Sequence, residues 1–294
     1  MILVVGGTGR LGSSVANRLH RRGLGVRVLS RGLALNPGTL DGDLEVVHGD
    51  VRDPATLVAP MEGVDVVVSA IQGFAGRGGV TPQSVDRDGN IHLIDAAEGA
   101  GADIVMLSVI GAAASSAMEL MRMKFAAEQR LRSGSAQWTI LRSDAYAETW
   151  IGLLEQTAGR SGKPRVFGRG NNPISWVSVE DVAALVERAV IDPSLRGRVL
   201  ELAGPEPETL TRLAEMVMAH HGWAGRPRHV PRAMLHLLAN TVGRVKPELG
   251  RQARAALAMD TLATSDGVAL RAEFPDLPRT PVAQVVARRI VLPA

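Results

Sequence analysis

Gly6-Gly7-Thr8-Gly9-Arg10-Leu11-Gly12 follows an apolar run at 2–5 directly and opens a helical stretch. A glycine-rich turn between a strand and a helix is built to hold a phosphate. Its glycines permit a tight turn and let phosphate oxygens approach the backbone, while the helix start offers N–H groups and the positive dipole end. Gly6, Thr8, Gly9, Arg10, Leu11 and Gly12 are therefore candidate contacts to a dinucleotide. The next strand ends in Ser30-Arg31, with no acid to grip a ribose 2′-hydroxyl. A guanidinium fork matches a 2′-phosphate. Arg31, with Ser30 and Arg10 as helpers, points to NADP(H) as cofactor; the alternative at 31 is an ordinary surface arginine.

Other chemistry is sparse. The chain has no cysteine, which excludes disulfides, thiolate catalysis and cysteine-ligated metals. His220 and His221 are adjacent, cannot share one helix face, and read as a helix end, so no metal is expected. No Gly-x-Ser-x-Gly is present. Asp144 and Glu148 flank Tyr146, the single tyrosine. Trp150, Phe167 and Trp176 read equally well as the wall of an apolar substrate site or as core.

The elements that must position these groups follow an alternating pattern. Short β-branched runs at 2–5, 26–29, 44–47, 64–69, 104–108 and 138–141 read as strands. Helical stretches at 11–21, 54–61, 90–97 and 118–131 separate them. Strands apolar on both faces and alternating with helices predict a parallel sheet covered on both sides. The expected fold is α/β, a doubly wound Rossmann-type sheet, with a smaller, mostly helical C-terminal lobe. The dinucleotide-binding domain is expected over 1–144, with 174–203 returning to it, and the substrate lobe over 145–294, interleaved. Ser116-Ala117-Met118-Glu119 fits a capping box. A strand is expected at 165–167, a helix at 179–190 capped by Ser178 with Asp181 at its third position, and a late strand at 199–202. Pro231 and Pro281 suit first-turn positions of later helices.

Composition narrows the class. The 294 residues are 46% hydrophobic and 21% charged, a globular balance. Aromatics are only 3%, and 33 basic against 30 acidic residues leave +3 with no long basic run. Nucleic-acid binding is therefore not expected. No apolar stretch reaches the ~18–20 residues that span a bilayer, and the N-terminus lacks the parts of a signal peptide. The expectation is a cytoplasmic protein without membrane attachment, acting on a small-molecule substrate; a homodimer is compatible with the sequence.

The glycine turn, Gly49-Asp50-Val51-Arg52-Asp53 and Val85-Asp86-Arg87-Asp88-Gly89-Asn90 together resemble the atypical short-chain dehydrogenase/reductases, and within them the NmrA-like, NAD(P)H-binding group. Thr139-Ile140-Leu141-Arg142, Val177-Ser178-Val179-Glu180-Asp181-Val182-Ala183 and Leu202-Ala203-Gly204-Pro205 continue the likeness, which covers most of residues 1–215. The resemblance implies that Asp50 and Val51 flank the adenine, and that Ser69, Ala70 and Ile71 line the cofactor ribose. It places Ser108 as the catalytic serine and Lys124 as the lysine at the nicotinamide ribose. Each has a structural alternative: Asp50 as a turn cap, Ser108 as a strand terminus, Lys124 as the solvated partner of Glu128.

One departure bears on the reaction. The family's tyrosine stands four residues before the lysine, and Leu120 stands there in this chain. Tyr146 is followed four residues on by Trp150, so no Tyr-x-x-x-Lys pair exists. Leucine cannot transfer a proton. Three readings follow. The first is an NADP(H)-dependent oxidoreductase of a carbonyl, enone or quinone that uses Lys124 or Tyr146 instead. The second is a non-catalytic NADP(H) redox sensor acting through a partner protein. The third is a scaffold or assembly subunit.

Overall fold

The computed structural model describes residues 1–32, 39–42, 44–76, 79–263, 265 and 267–288. The last six residues of the expected C-terminal lobe lie outside this set. Two compact units emerge: Met1–Arg142 with Val182–Glu201, and Ser143–Asp181 with Leu202–Ala294.

The first unit is built on β1 (Ile2–Val5), β2 (Val26–Ser30), β3 (Glu45–His48), β4 (Val66–Ser69), β5 (Asp103–Val109), β6 (Trp138–Ser143) and a later strand, β9 (Arg198–Leu202). Their order is β3-β2-β1-β4-β5-β6-β9. β1 pairs in parallel with β2 on one side and β4 on the other, with Val5 opposite Leu29 and Ser69. β1 is wholly buried, as its unbroken apolar run requires. The strand order reverses at β1 and β4, and ligands of such sheets dock beyond the carboxyl ends at that point. α1 (Arg10–Arg21) packs on β1 and β2. α2 (Asp88–Ala100) and α3 (Glu119–Arg132) close the main core through Leu93, Ile94, Ala127 and Leu131.

Some local expectations change. The stretch 54–61 is not an α-helix but two 3-10 turns, Pro54–Leu57 and Ala59–Met61. Pro60 has no N–H and its ring would meet the carbonyl four residues back, so an α-helix cannot run through it. α2 begins two residues early, after a π turn at Pro82–Arg87 that Thr81 and Ser84 cap reciprocally. The capping box at Ser116 does not form. Glu119 is the first residue of α3 rather than its third, and the Ser116 hydroxyl turns to Met121 Sδ at 3.1 Å.

The second unit holds α4 (Ala147–Ala158), β7 (Arg165–Phe167), β8 (Pro173–Ile174), β10 (Glu208–Thr209), α6 (Leu210–His220), β11 (Arg228–Val230), α7 (Arg232–Asn240), α8 (Val242–Val245), α9 (Pro247–Met259), α10 (Val268–Glu273) and α11 (Val282–Arg288). β7 pairs with β11 and β8 with β10. α5 (Val179–Ile191) leads the chain back to the sheet. Ser178 does cap it, accepting the Glu180 amide at 3.2 Å. Asp181 plays no part in that cap, because Thr280 takes both its oxygens at 2.7 and 2.8 Å. Pro231 caps α7 from outside and Pro281 precedes α11, while Pro247 takes the first-turn position in α9. Trp176 is fully buried with its indole N–H on Glu208 O, so it is core, and the partly buried Trp150 packs against it at 5.6 Å. No helix among the described residues is long and apolar enough to cross a membrane.

Asp144 follows β6 and accepts the Ala145 amide at 2.7 Å. Burial pushes its carboxyl up to about 6 from 3.8. Between these values the folded chain keeps a proton that the unfolded chain has lost. Stability contributed below pH 4 therefore drains away as pH rises through 6. Asp144→Asn removes this loss: its stability relative to wild type rises by on the order of 2 kcal/mol from pH 4 to pH 7 in urea denaturation. A flat difference across that range would contradict the assignment.

Candidate cofactor site

The site starts at the carboxyl end of β1. Gly6 has φ +82, a conformation that favours glycine. A side chain on Gly6 would begin 2.8 Å from Ala70 O, one on Gly7 2.6 Å from Val28, and one on Gly12 2.2 Å from Gly6 O. These three glycines hold strand, turn and helix in contact. Gly9 differs: its missing side chain would meet only Gly6 O, at 3.2 Å. Gly9 is the N-cap of α1 and offers no side-chain cap, and no acid stands in the first turn. Thr8 is half-buried beside it and Leu11 is in the core, so Leu11 can offer a ligand only its backbone. This helix start, open on the Gly9 side and free of acids, fits a pyrophosphate.

β2 and β3 supply the next part. Their register sets Ser30 opposite His48, and the Gly49 amide donates to Ser30 O at 3.0 Å. Arg31 is exposed just past that end. The Ser30 hydroxyl is not a free helper, because it donates to Gly32 O at 2.7 Å and closes its own turn. Asp50 is gripped by Arg52, whose Nη2 lies 2.6 Å from Oδ2 and Nε 3.0 Å from Oδ1. The Arg52 contact holds the Asp50 carboxyl below its usual range, and the charge of Arg31 acts in the same direction. Val51 is buried against Gly89, and its carbonyl meets His92 Nδ1 at 2.8 Å.

β4, β5 and α3 supply the last part, and here the candidate residues fall into separate networks. Ser69 donates to Asn90 Oδ1 at 2.6 Å, and Asn90 donates to Asp86 O at 2.8 Å. The Ala70 amide bonds to Val5 O, which locks the loop start to β1. Lys124 Nζ donates to Ile71 O at 2.9 Å and lies 3.2 Å from Asp86 Oδ1. Asp86 Oδ2 accepts the Gly73 amide at 2.8 Å. Burial pushes the Asp86 carboxyl up, against the pull of Lys124. Ser108 belongs elsewhere: it donates to Glu128 Oε1 at 2.6 Å, and Arg142 holds Glu128 at 2.6 and 3.0 Å. Lys124 and Glu128 are thus not a solvated pair; both are buried and each has its own partners. Tyr146 lies in the second unit, half-buried, with Ser143 donating to its hydroxyl at 3.1 Å.

Asp86, Asn90, Glu128 and Arg142 were not assigned roles from the sequence. A signal for one of them, Glu128, stands beside Lys124. Leu120, Lys124, Ala127, Glu128 and Leu131 recur at helical spacing, so both charges stand in the apolar stripe of α3. A charge there is buried and must be paired. Leu120, at the tyrosine position, is likewise a buried core residue.

Two sets of variants test this geometry. Gly12→Ala is expected to cost about 1–3 kcal/mol in urea denaturation through backbone overlap, whereas Gly9→Ala leaves stability nearly unchanged and weakens dinucleotide binding. Lys124→Met strands Asp86 as an unpaired buried acid and is expected to cost about 3–5 kcal/mol. Adding Asp86→Asn should recover most of that loss; no recovery would show that the pair is not the source.

Comparison with known proteins bears on the family and the cofactor. Residues 6–193 match the family described as NAD(P)H-binding. The chain is 30% identical over 229 residues to the NAD(P)H azoreductase of Xenophilus azovorans, covering 77% of this chain and 75% of that one. It is 28% identical over 244 residues to a photosystem II assembly factor of Synechocystis, covering 81% and 72%. In fold it resembles an NADPH-dependent quinone oxidoreductase of Escherichia coli solved with NADPH, with TM-score 0.76, 22% identity, and 99% and 100% of the two chains covered. It resembles the triphenylmethane reductase of Citrobacter solved with NADP(H) similarly, with TM-score 0.75, 20% identity, and 99% and 100% covered. The glycine turn, the uncapped start of α1 and the family match together make this chain a member of the NAD(P)H-binding, NmrA-like branch of the atypical short-chain dehydrogenase/reductases, with NAD(P)H as its cofactor.

Proposed function

We propose that the chain is an NADPH-dependent reductase of a small conjugated acceptor, of the quinone, enone or carbonyl type. The observation that carries this reading is the uncapped, acid-free start of α1 together with Arg31 exposed at the end of β2. In this reading Gly6, Thr8, Gly9, Arg10, Leu11 and Gly12 hold the pyrophosphate, Arg31 the 2′-phosphate, and Asp50 and Val51 the adenine. Ser69, Ala70 and Ile71 line the ribose.

The bound nicotinamide supplies the hydride. The residues around it orient and exclude water. Lys124 acts by holding Ile71 and, through Asp86, Gly73, so that the loop after β4 keeps one shape. Ser108 acts on Glu128 rather than as a proton donor. This accounts for a working site with Leu120 in place of tyrosine. The azo compound named for the relative and the quinone named for the fold neighbour are both conjugated. Such acceptors spread the incoming electron pair, so the accompanying proton can come from water without a dedicated side chain.

A second reading has one observation in its favour. Lys124 and Ser108 are both closed in by partners, as a redox sensor working through another protein would allow. Two measurements separate the readings. In fluorescence titration, wild type should prefer NADPH to NADH, and Arg31→Ala should weaken NADPH about tenfold while sparing NADH. With a panel of quinones and azo compounds, NADPH should be consumed. Tight NADPH binding without turnover of any acceptor leaves the sensor; equal affinity for both dinucleotides removes the 2′-phosphate assignment.

A further inference from the structure

We propose that Arg52 is a positioning residue that sets the preference for a 2′-phosphorylated dinucleotide by neutralising Asp50, not by gripping the phosphate. This rests on the NADPH reading above. β2 and β3 run side by side, and the Gly49 amide on Ser30 O ties their ends together. Arg31 and Asp50 therefore leave neighbouring strand ends. An ionised Asp50 would do two kinds of harm there. Its charge would repel a 2′-phosphate, and it would draw the Arg31 guanidinium toward itself.

Arg52 removes both effects. Its Nε lies 3.0 and 3.1 Å from the two Asp50 oxygens, its Nη2 2.6 Å from Oδ2, and its own amide donates to Oδ1 at 3.0 Å. The hydrogen bonds from Arg52 above all, and the charge of Arg31 last, hold the Asp50 carboxyl below its ordinary range, as two guanidiniums competing for one acid would. With the acid committed to Arg52, the charge of Arg31 stays available. Asp50 can still meet the adenine, because a paired carboxylate retains lone pairs. The pair is partly exposed, with side chains 36% and 22% accessible, so solvent moderates the effect.

The loop does not depend on this ion pair. Thr56 Oγ1 accepts the Asp50 amide at 2.9 Å and donates to Asp53 O at 2.7 Å, and the Asp53 amide donates to Asp50 O at 2.8 Å. Removing the Arg52 side chain leaves these bonds in place.

The test is the ratio of the NADH to the NADPH dissociation constant, titrated at low salt for wild type, Arg52→Ala, Asp50→Asn and the double variant. Contacts to adenine are common to both ligands and cancel in the ratio. Arg52→Ala should lower the preference for NADPH about tenfold. Asp50→Asn in the Arg52→Ala background should restore it to within about threefold of wild type, because the repelling charge is gone. Arg52→Lys, which keeps a countercharge, should fall between. A loss that persists in the double variant means that Arg52 contacts the phosphate itself and overturns the proposal. So does an unchanged ratio in Arg52→Ala, or an equal loss of both ligands. A wild-type ratio near one overturns the NADPH reading and the proposal with it, and is recognised before any variant is made.

Discussion

The carbonyl oxygen of Gly6 sits where β1, α1 and β4 must come closest. It accepts the Gly9 amide at 2.9 Å and leaves no room for a side chain on Gly12. Gly6 itself is pressed against Ala70 O, and Gly7 against Val28 of β2. The turn is thus clamped from three strands at the place where the sheet reverses its order. Because the cap position is glycine, the cap residue itself puts no side chain over the start of α1. A crowded backbone on one side and an uncovered helix end on the other are the same feature seen twice. The first makes the turn rigid, and the second makes it a receptor for negative charge.

Beyond that clamp, the buried charges organise the unit. Lys124 and Asp86 tie the loop after β4 to the π turn before α2. Ser108, Glu128, Arg142 and Glu201 join β5, α3, β6 and β9. Residues that resemble a catalytic set thus serve two distinct frameworks. The lysine and the serine are kept apart by chemistry as well as by position, since each already has a preferred ionic or hydrogen-bonded neighbour. A buried pair of this kind adds little net stability, but losing one member is costly. It therefore holds a loop in one shape more than it strengthens the fold.

Much of this was legible in the residues. The glycine turn, the six leading strands and the late strand at β9 follow from apolar runs and turn chemistry; a buried strand such as β1 leaves little freedom in composition, while β3, with no buried residue, follows from Val46 and Val47 alone. The helix expected at 54–61 fails on Pro60, whose missing N–H is visible in the sequence. The capping box at Ser116 failed because a pattern of four residues does not say which of them begins the helix. The partners of Lys124 were not legible for a different reason. Asp86 lies 38 positions away, and only the folded sheet brings them to 3.2 Å. The one-turn spacing makes Lys124 and Glu128 look like a solvated pair, and it carries no sign that each is claimed from another element.

The path of the chain has a practical side. It leaves the first unit after Arg142, returns at Val182, and leaves again after Glu201. The strand brought in by that return, β9, lies next to β6 at the end of the sheet. A gene truncated near residue 144 would therefore not yield a smaller version of the nucleotide-binding half. It would expose the edge of β6 as a row of unpaired backbone groups, a template for aggregation. Anyone borrowing this half as a module must carry the segment Val182–Glu201 along and design a new bridge to it.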